Sequence, residues 1–345
     1  MTAGTLAVQD QHGADLLQRM RGDVEPRMRA AMAQLPAGLR HIGGYHLGWW
    51  DERGVARHGA GGKSVRAALS LAASRALGGD GAAVTGAVAV ELVHNFTLLH
   101  DDVMDRDPLR RHRPTVWALF GTADAILVGD ALQALAVRVL AQDPHPAAVP
   151  AMDCLAGCMI ELCEGQRNDC AFERRSDITL GQCEAMAEGK TGALLGSACA
   201  IGALYAGAPP GAVAAMDAFG RRMGMAFQLV DDLLGIWGDP AVTGKPAGAD
   251  LVARKKSLPV VAALTSGTAA GEELAAFYYS DLPVAGADVG RLADLVERAG
   301  GRAWAQSQAA DHSTAALAHL RTAVPDAERA SDLRTLADML TRRVR

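Results

Sequence analysis

Between His94 and Trp117 the chain reads HNFTLLHDDVMDRDPLRRHRPTVW, with its charges sorted by sign. Asp101, Asp102 and Asp105 come first, and Arg110, Arg111 and Arg113 follow. On a helix Asp101 and Asp105 lie one turn apart on the same face, with Asp102 on the adjoining strip. Left unneutralised, like charges at that spacing cost about 0.2–0.5 kcal/mol per pair. The segment leading in, AAVTGAVAVELVHNFTLLH, is apolar nearly all round, which predicts a buried helix ending in carboxylates. Carboxylates so placed need cations. Hard oxygen ligands in that number suit Mg²⁺, which shares its coordination sphere with phosphate oxygens. The arginines downstream offer the complementary anion-binding half. A solvated acidic helix end is the competing explanation, and the buried approach argues against it.

DDVMD followed by LRRHRPTVW resembles the first aspartate-rich motif of the trans-isoprenyl diphosphate synthases, the polyprenyl synthetase family, which write DDxxD and then RRxxP. Further elements follow the same order. In HGAGGKSVRAAL, residues 58–69, Gly61-Gly62 would let the backbone approach a ligand and then start a helix. Lys63 and Arg66 share a face of its first turn, where cations oppose the helix dipole unless an anion is bound. The family's GGKxxRP element binds the diphosphate of isopentenyl diphosphate here; this chain has Ala67 in place of the proline. His94 stands where relatives place a His or Gln against that same diphosphate, and Glu91, one turn earlier, is its candidate partner.

EGKTGALLGSACAIGAL, residues 188–204, carries Lys190 and Thr191 among small residues. A lysine there either snorkels to solvent or meets an anion, and Gly189 and Gly192 predict a kink. In relatives this Lys-Thr pair touches the allylic diphosphate. The second acidic stretch is FQLVDDLLGIWGD, residues 227–239, with Gln228 one turn before Asp231 and Asp232. The family writes DDxxD here too, but Gly235 replaces the third aspartate. Asp239 is no simple substitute, since it stands about 10 Å beyond Asp232 on an unbroken helix. Residues 239–259 read as a mobile lid bearing Lys245, Asp250 and Lys255. Glu164, Gln166 and Asp169, in a stretch like the family's EGQxxD, are candidates for a cavity mouth without assigned roles.

Half of the 345 residues are hydrophobic and only 4% aromatic, a composition for close-packed helices rather than strands. A net charge of −5 with dispersed basic residues gives no nucleic-acid footprint. No apolar run reaches the length of a membrane span, and the N-terminus lacks signal architecture, so the expectation is a soluble cytoplasmic protein. The six cysteines, from Cys154 to Cys199, contain no CxxC knuckle and read as small apolar residues rather than zinc ligands.

The helical pattern predicts long helices over 13–35, 82–105, 117–141 and 146–170, with no linker or repeat. The expected fold is all-α: a single large helical bundle of the isoprenoid synthase type, with a central substrate cavity, in one domain over 1–345. The resemblance covers about residues 20–310. It implies head-to-tail prenyl transfer, with proton loss to the released diphosphate, by a homodimer. An allylic diphosphate would be held through Mg²⁺ by Asp101, Asp105 and Asp231, with Asp102 and Asp232 supporting. Lys190, Thr191, Lys245 and Arg110 would serve the same leaving group, and Gln228 and Lys255 would help bind substrate. Isopentenyl diphosphate would sit on Lys63, Arg66, His94 and Arg111. Phe96 with Thr97 resembles the chain-length pattern of geranylgeranyl-forming relatives, with a farnesyl product the alternative. A terpene cyclase and a non-catalytic partner subunit are the rival readings.

Overall fold

The computed structural model describes residues 3–57, 62–239, 247–280 and 286–341. The all-α expectation holds. The exception among the described residues is a two-residue antiparallel ribbon, β1 (Leu109–Arg110) with β2 (Arg113–Pro114). Helices α1 (Ala3–Met32), α2 (Ala37–His46), α3 (Val65–Ala76) and α4 (Val84–Met104) precede the ribbon. After it come α5 (Val116–Phe120), α6 (Thr122–Ala141), α7 (Ala148–Phe172), α8 (Leu180–Ala187), α9 (Ala193–Tyr205) and α10 (Pro210–Trp237). The helix expected over 117–141 is two helices, because Gly121 at φ 97° takes a conformation that L side chains rarely adopt and breaks it.

The chain packs as two compact units. The first comprises residues 1–159, 197–217 and 321–336. Its axis is α4, which packs against α1, α3 and α6. Ala87, Val88, Ala89, Val90, Leu92, Val93 and Leu99 of α4 are all buried, as its apolar circumference requires. Small residues permit the close approach: a Cβ on Gly202 would stand 2.1 Å from the Ser70 carbonyl oxygen. With so few aromatics, backbone proximity does much of the work that large side chains do elsewhere.

The second unit comprises residues 160–196, 218–320 and 337–345. One of its clusters gathers Met186, Met225, Leu229, Leu233, Leu258 and Val261, and another Ile236, Leu251, Val260, Leu274 and Leu295. Here too glycines set the spacing, with a Cβ on Gly224 falling 2.6 Å from the Gly192 Cα. The six cysteines are free thiols. No helix among the described residues is long and apolar enough to cross a membrane.

Candidate active site

The first unit brings together four of the expected anion-binding residues around the start of α3 and the middle of α4. Ser64 enters α3 with φ 48°, so Lys63 and Arg66 flank a left-handed step at the helix start. Lys63 is exposed. Arg66 donates from Nη1 to Nε2 of His94 at 3.1 Å. Desolvation, with Arg66 and Arg111 nearby, holds the His94 pKa well below the ordinary histidine value, so its Nε2 is an acceptor at neutral pH. The expected Glu91–His94 partnership is absent. Glu91 instead receives the charge of Arg66 and Arg111, while burial raises its pKa. Asn95, also buried, donates to the Glu91 backbone carbonyl at 2.8 Å.

Arg111 reaches this group from the ribbon. Leu109 pairs with Pro114 and Arg110 with Arg113, which leaves Arg111 and His112 as a two-residue turn. Their φ values, 51° and 60°, are those of a type I′ hairpin, unusual without Gly, Asn or Asp. The turn sets the Arg111 guanidinium against Gly62, where a Cβ would lie 2.6 Å from Nη2. A side chain at 62 would have to displace it.

The aspartates of α4 divide by environment. Asp102 is 2% exposed and accepts from Nε and Nη2 of Arg110, each 2.7 Å from Oδ1. Its Oδ2 has no hydrogen-bond partner, and burial outweighs the arginine to raise its pKa. Asp105 is exposed and Asp101 half-buried. Phe96 is 6% exposed and meets the His100 ring edge-on at 5.1 Å between centroids. Thr97 is half-buried, and its hydroxyl donates to the His94 carbonyl at 2.8 Å.

In the second unit the expected kink is a π-helical turn, Glu188–Gly192, which contains Lys190 and Thr191. Such turns widen a helix locally and are frequent at functional sites. A Cβ on Gly165 would stand 2.5 Å from the Lys190 nitrogen, so α7 and this turn meet backbone to backbone. Lys190 Nζ lies 2.5 Å from Asp169 Oδ2. Thr191 donates to Gln228 Oε1 at 2.8 Å, and Gln228 Nε2 donates to Asp232 Oδ1 at 2.8 Å. The second oxygen of Asp232 accepts from the Leu258 backbone N–H at 2.9 Å. Burial pushes this carboxyl up to about 6, against Lys255 and both hydrogen bonds.

Lys255 Nζ lies 3.9 Å from Asp232 Oδ1. Desolvation acts against its ammonium, but Asp232, Asp250, Asp169 and Asp231 outweigh that and hold its pKa above the ordinary lysine value. Asp231, the neighbour of Asp232, is exposed. Lys245 lies outside the described residues.

Among the described residues no three His, Cys, Asp or Glu side chains form a ready cage for a metal. The donor set still suits a hard cation that keeps waters and shares ligands with substrate. In the first unit Asp101 is half-buried and Asp105 exposed, and in the second unit Asp231 is exposed; Asp102 and Asp232, each in its own unit, are buried and accept hydrogen bonds from protein donors. Three residues take parts that the sequence reading does not give them. Asp169 partners Lys190, Glu91 faces two arginines, and His46, whose buried Nε2 has no hydrogen-bond partner, feels the charge of the ribbon's arginines. The EGQxxD stretch signalled Asp169, and Glu91 shows as a lone acid in an apolar helix. Nothing local singles out His46.

The family model for polyprenyl synthetase matches residues 53–293, and the chain belongs to that family. It is 49% identical over 333 residues to a geranylgeranyl diphosphate synthase of Mycobacterium tuberculosis, covering 96% of this chain and 94% of the relative. It is 46% identical over 325 residues to a (2E,6E)-farnesyl diphosphate synthase of Mycobacterium bovis, covering 93% and 90% respectively. Among solved structures, a polyprenyl synthetase from Streptomyces coelicolor superposes with a TM-score of 0.90 at 43% identity, over 94% of this chain and 98% of that one.

Proposed function

We propose that this single-domain protein is a trans-prenyltransferase that condenses isopentenyl diphosphate head-to-tail with an allylic prenyl diphosphate, chiefly forming geranylgeranyl diphosphate. The observation that carries this reading is the cationic cradle of Arg66, His94 and Arg111 around the start of α3. It reads as an arginine-lined diphosphate site around the buried Glu91, earlier on α4 than the aspartates at that helix's end. An enzyme that only ionises one substrate has no use for it, which disfavours the cyclase.

In this reading Lys63, Arg66 and Arg111 hold the isopentenyl diphosphate by charge-assisted hydrogen bonds. Neutral His94 orients Arg66. In the first unit Asp101 and Asp105, and in the second unit Asp231, are the residues that would hold Mg²⁺. When bound, Mg²⁺ supplies positive charge to the allylic diphosphate as it leaves. Lys190, oriented by Asp169, adds charge to the same leaving group, as do Arg110, Lys245 and Lys255. Thr191 and Gln228 fix the position of Asp232 and, through Leu258, of the segment that follows Lys255. The allylic C–O bond breaks, and its electrons leave with the diphosphate. The isopentenyl double bond forms the new C–C bond, and a proton passes to the released diphosphate. No side-chain base is required.

The protein acts in the cytoplasm as a homodimer. Exposed Leu119, Ile126 and Leu127, close together on α5 and α6, give a second copy an apolar surface to cover. The test is incorporation of labelled isopentenyl diphosphate into an extractable product. Incorporation should require both Mg²⁺ and an allylic starter. Consumption of the allylic diphosphate alone would support the cyclase instead.

A further inference from the structure

The Phe96 ring does not keep its place unaided. His100 follows one turn later on the same face of α4, and its ring meets Phe96 at an interplanar angle of 86°, 5.1 Å between centroids. An edge-to-face pair of this kind favours one orientation of the two rings, beyond the apolar area it buries. Without that neighbour the Phe96 side chain could turn to another rotamer.

His100 is held in turn by a different helix. Its Nε2 lies 3.1 Å from the Ile126 carbonyl oxygen of α6, which can only accept, so the proton sits on Nε2. Asp130 Oδ1, 3.7 Å from the same nitrogen, is exposed and adds little. α6 makes room for the ring at Gly129, where a Cβ would fall 2.2 Å from Nε2 and 2.4 Å from Cδ2. An imidazole is flat and turns about only two bonds, so it cannot bend aside as a long chain would. Displaced from Gly129, the ring loses Ile126 and Phe96 together. All these residues belong to the first unit.

We propose that His100, seated on Gly129, is a positioning residue for product length: it holds the Phe96 ring where that ring stops the growing prenyl chain. The proposal rests on the prenyltransferase reading. It adds α6 to the determinants of length, through a residue whose contribution is to have no side chain.

The test approaches the ring from both helices. His100→Ala removes the support, and Gly129→Ala evicts it from the α6 side. Each should raise the ratio of products longer than the parent's main product to that product by about fivefold, the scale of one lost edge-to-face contact. His100→Gln, which keeps a donor for Ile126 but has no ring, should do the same. The ratio is read by chromatography of the dephosphorylated alcohols after equal turnover, so it does not follow the rate. In a Phe96→Ala background none of these changes should shift it further, because the ring they act on is gone. Melting temperatures identify any variant that has failed to fold. An unchanged ratio in a folded single variant would overturn the proposal. So would an equal shift in the Phe96→Ala background, which marks a general loosening of α4 against α6. A parent that forms no prenyl product would overturn the functional reading and this proposal together, whereas an active parent with unmoved ratios would overturn the proposal alone.

Discussion

Arg66 and His94 are joined by a 3.1 Å hydrogen bond in which the guanidinium donates and the imidazole Nε2 accepts. That direction requires a neutral His94 with its proton on Nδ1, in keeping with a pKa well below the ordinary histidine value. In the proposed reaction His94 would serve the diphosphate site by aiming Arg66. His94→Leu removes the acceptor and should raise the KM for isopentenyl diphosphate about tenfold, whereas His94→Gln, which keeps an acceptor, should stay within about threefold. Lys63→Ala should raise the same KM more than that for the allylic substrate. Steady-state kinetics with each substrate varied in turn would check this, and equal effects on both substrates would refute the division of sites.

Asp101→Ala should abolish turnover while the melting temperature holds or rises. The side chain is half-buried among like charges at Asp102 and Asp105, and removing one relieves repulsion of about 0.2–0.5 kcal/mol per pair. Scanning calorimetry beside an activity assay separates the outcomes. Lost stability with retained turnover would mark Asp101 as structural.

Much of this was legible because helix periodicity fixes which side chains share a face. The carboxylates at the end of α4, the cationic start of α3 and the kink at Lys190 are all local patterns. The break at Gly121 was missed because the apolar pattern continues across it. Arg111 and His112 concealed a hairpin turn, since neither is a residue that left-handed turns normally select. The pairs Asp169–Lys190 and His100–Gly129 depend on segments brought together only by packing, which no local spacing encodes.

Stability should depend on pH through His46. Desolvation first, then Arg110 and Arg111, lower its pKa from 6.5 to about 3. Below 6.5 the unfolded chain takes up a proton that the native state refuses, so this contribution is complete above 6.5 and is lost on acidification. The slope is at most about 1.4 kcal/mol per pH unit. His94 acts in the same sense. Asp232, raised from 3.8 to about 6, acts oppositely: the native state binds its proton first, so stability rises as pH falls from 6 to 3.8. Glu91 and Asp102, also raised, share that sense. His46→Gln should therefore lose less stability between pH 7 and 5 than the parent, and Asp232→Asn should lose more. Thermal melts across that range would show it, and parallel profiles would contradict it.

Product length should respond to the helix that carries the aspartates. Phe96 is buried and Thr97 sits one turn below Asp101. Phe96→Ala should deepen the pocket and shift products to C25 and longer, and Thr97→Phe should shorten them to C15 or less, judged by chromatography of the dephosphorylated alcohols. Unchanged lengths in both variants would place the floor elsewhere.

Head-to-tail condensation is tested most directly by sizing the products. Purified protein incubated with Mg²⁺, isopentenyl diphosphate and farnesyl diphosphate should yield one new alcohol after dephosphorylation, geranylgeraniol, five carbons longer than the starter. Recovery of only the starter, or of hydrocarbons formed without isopentenyl diphosphate, would contradict it.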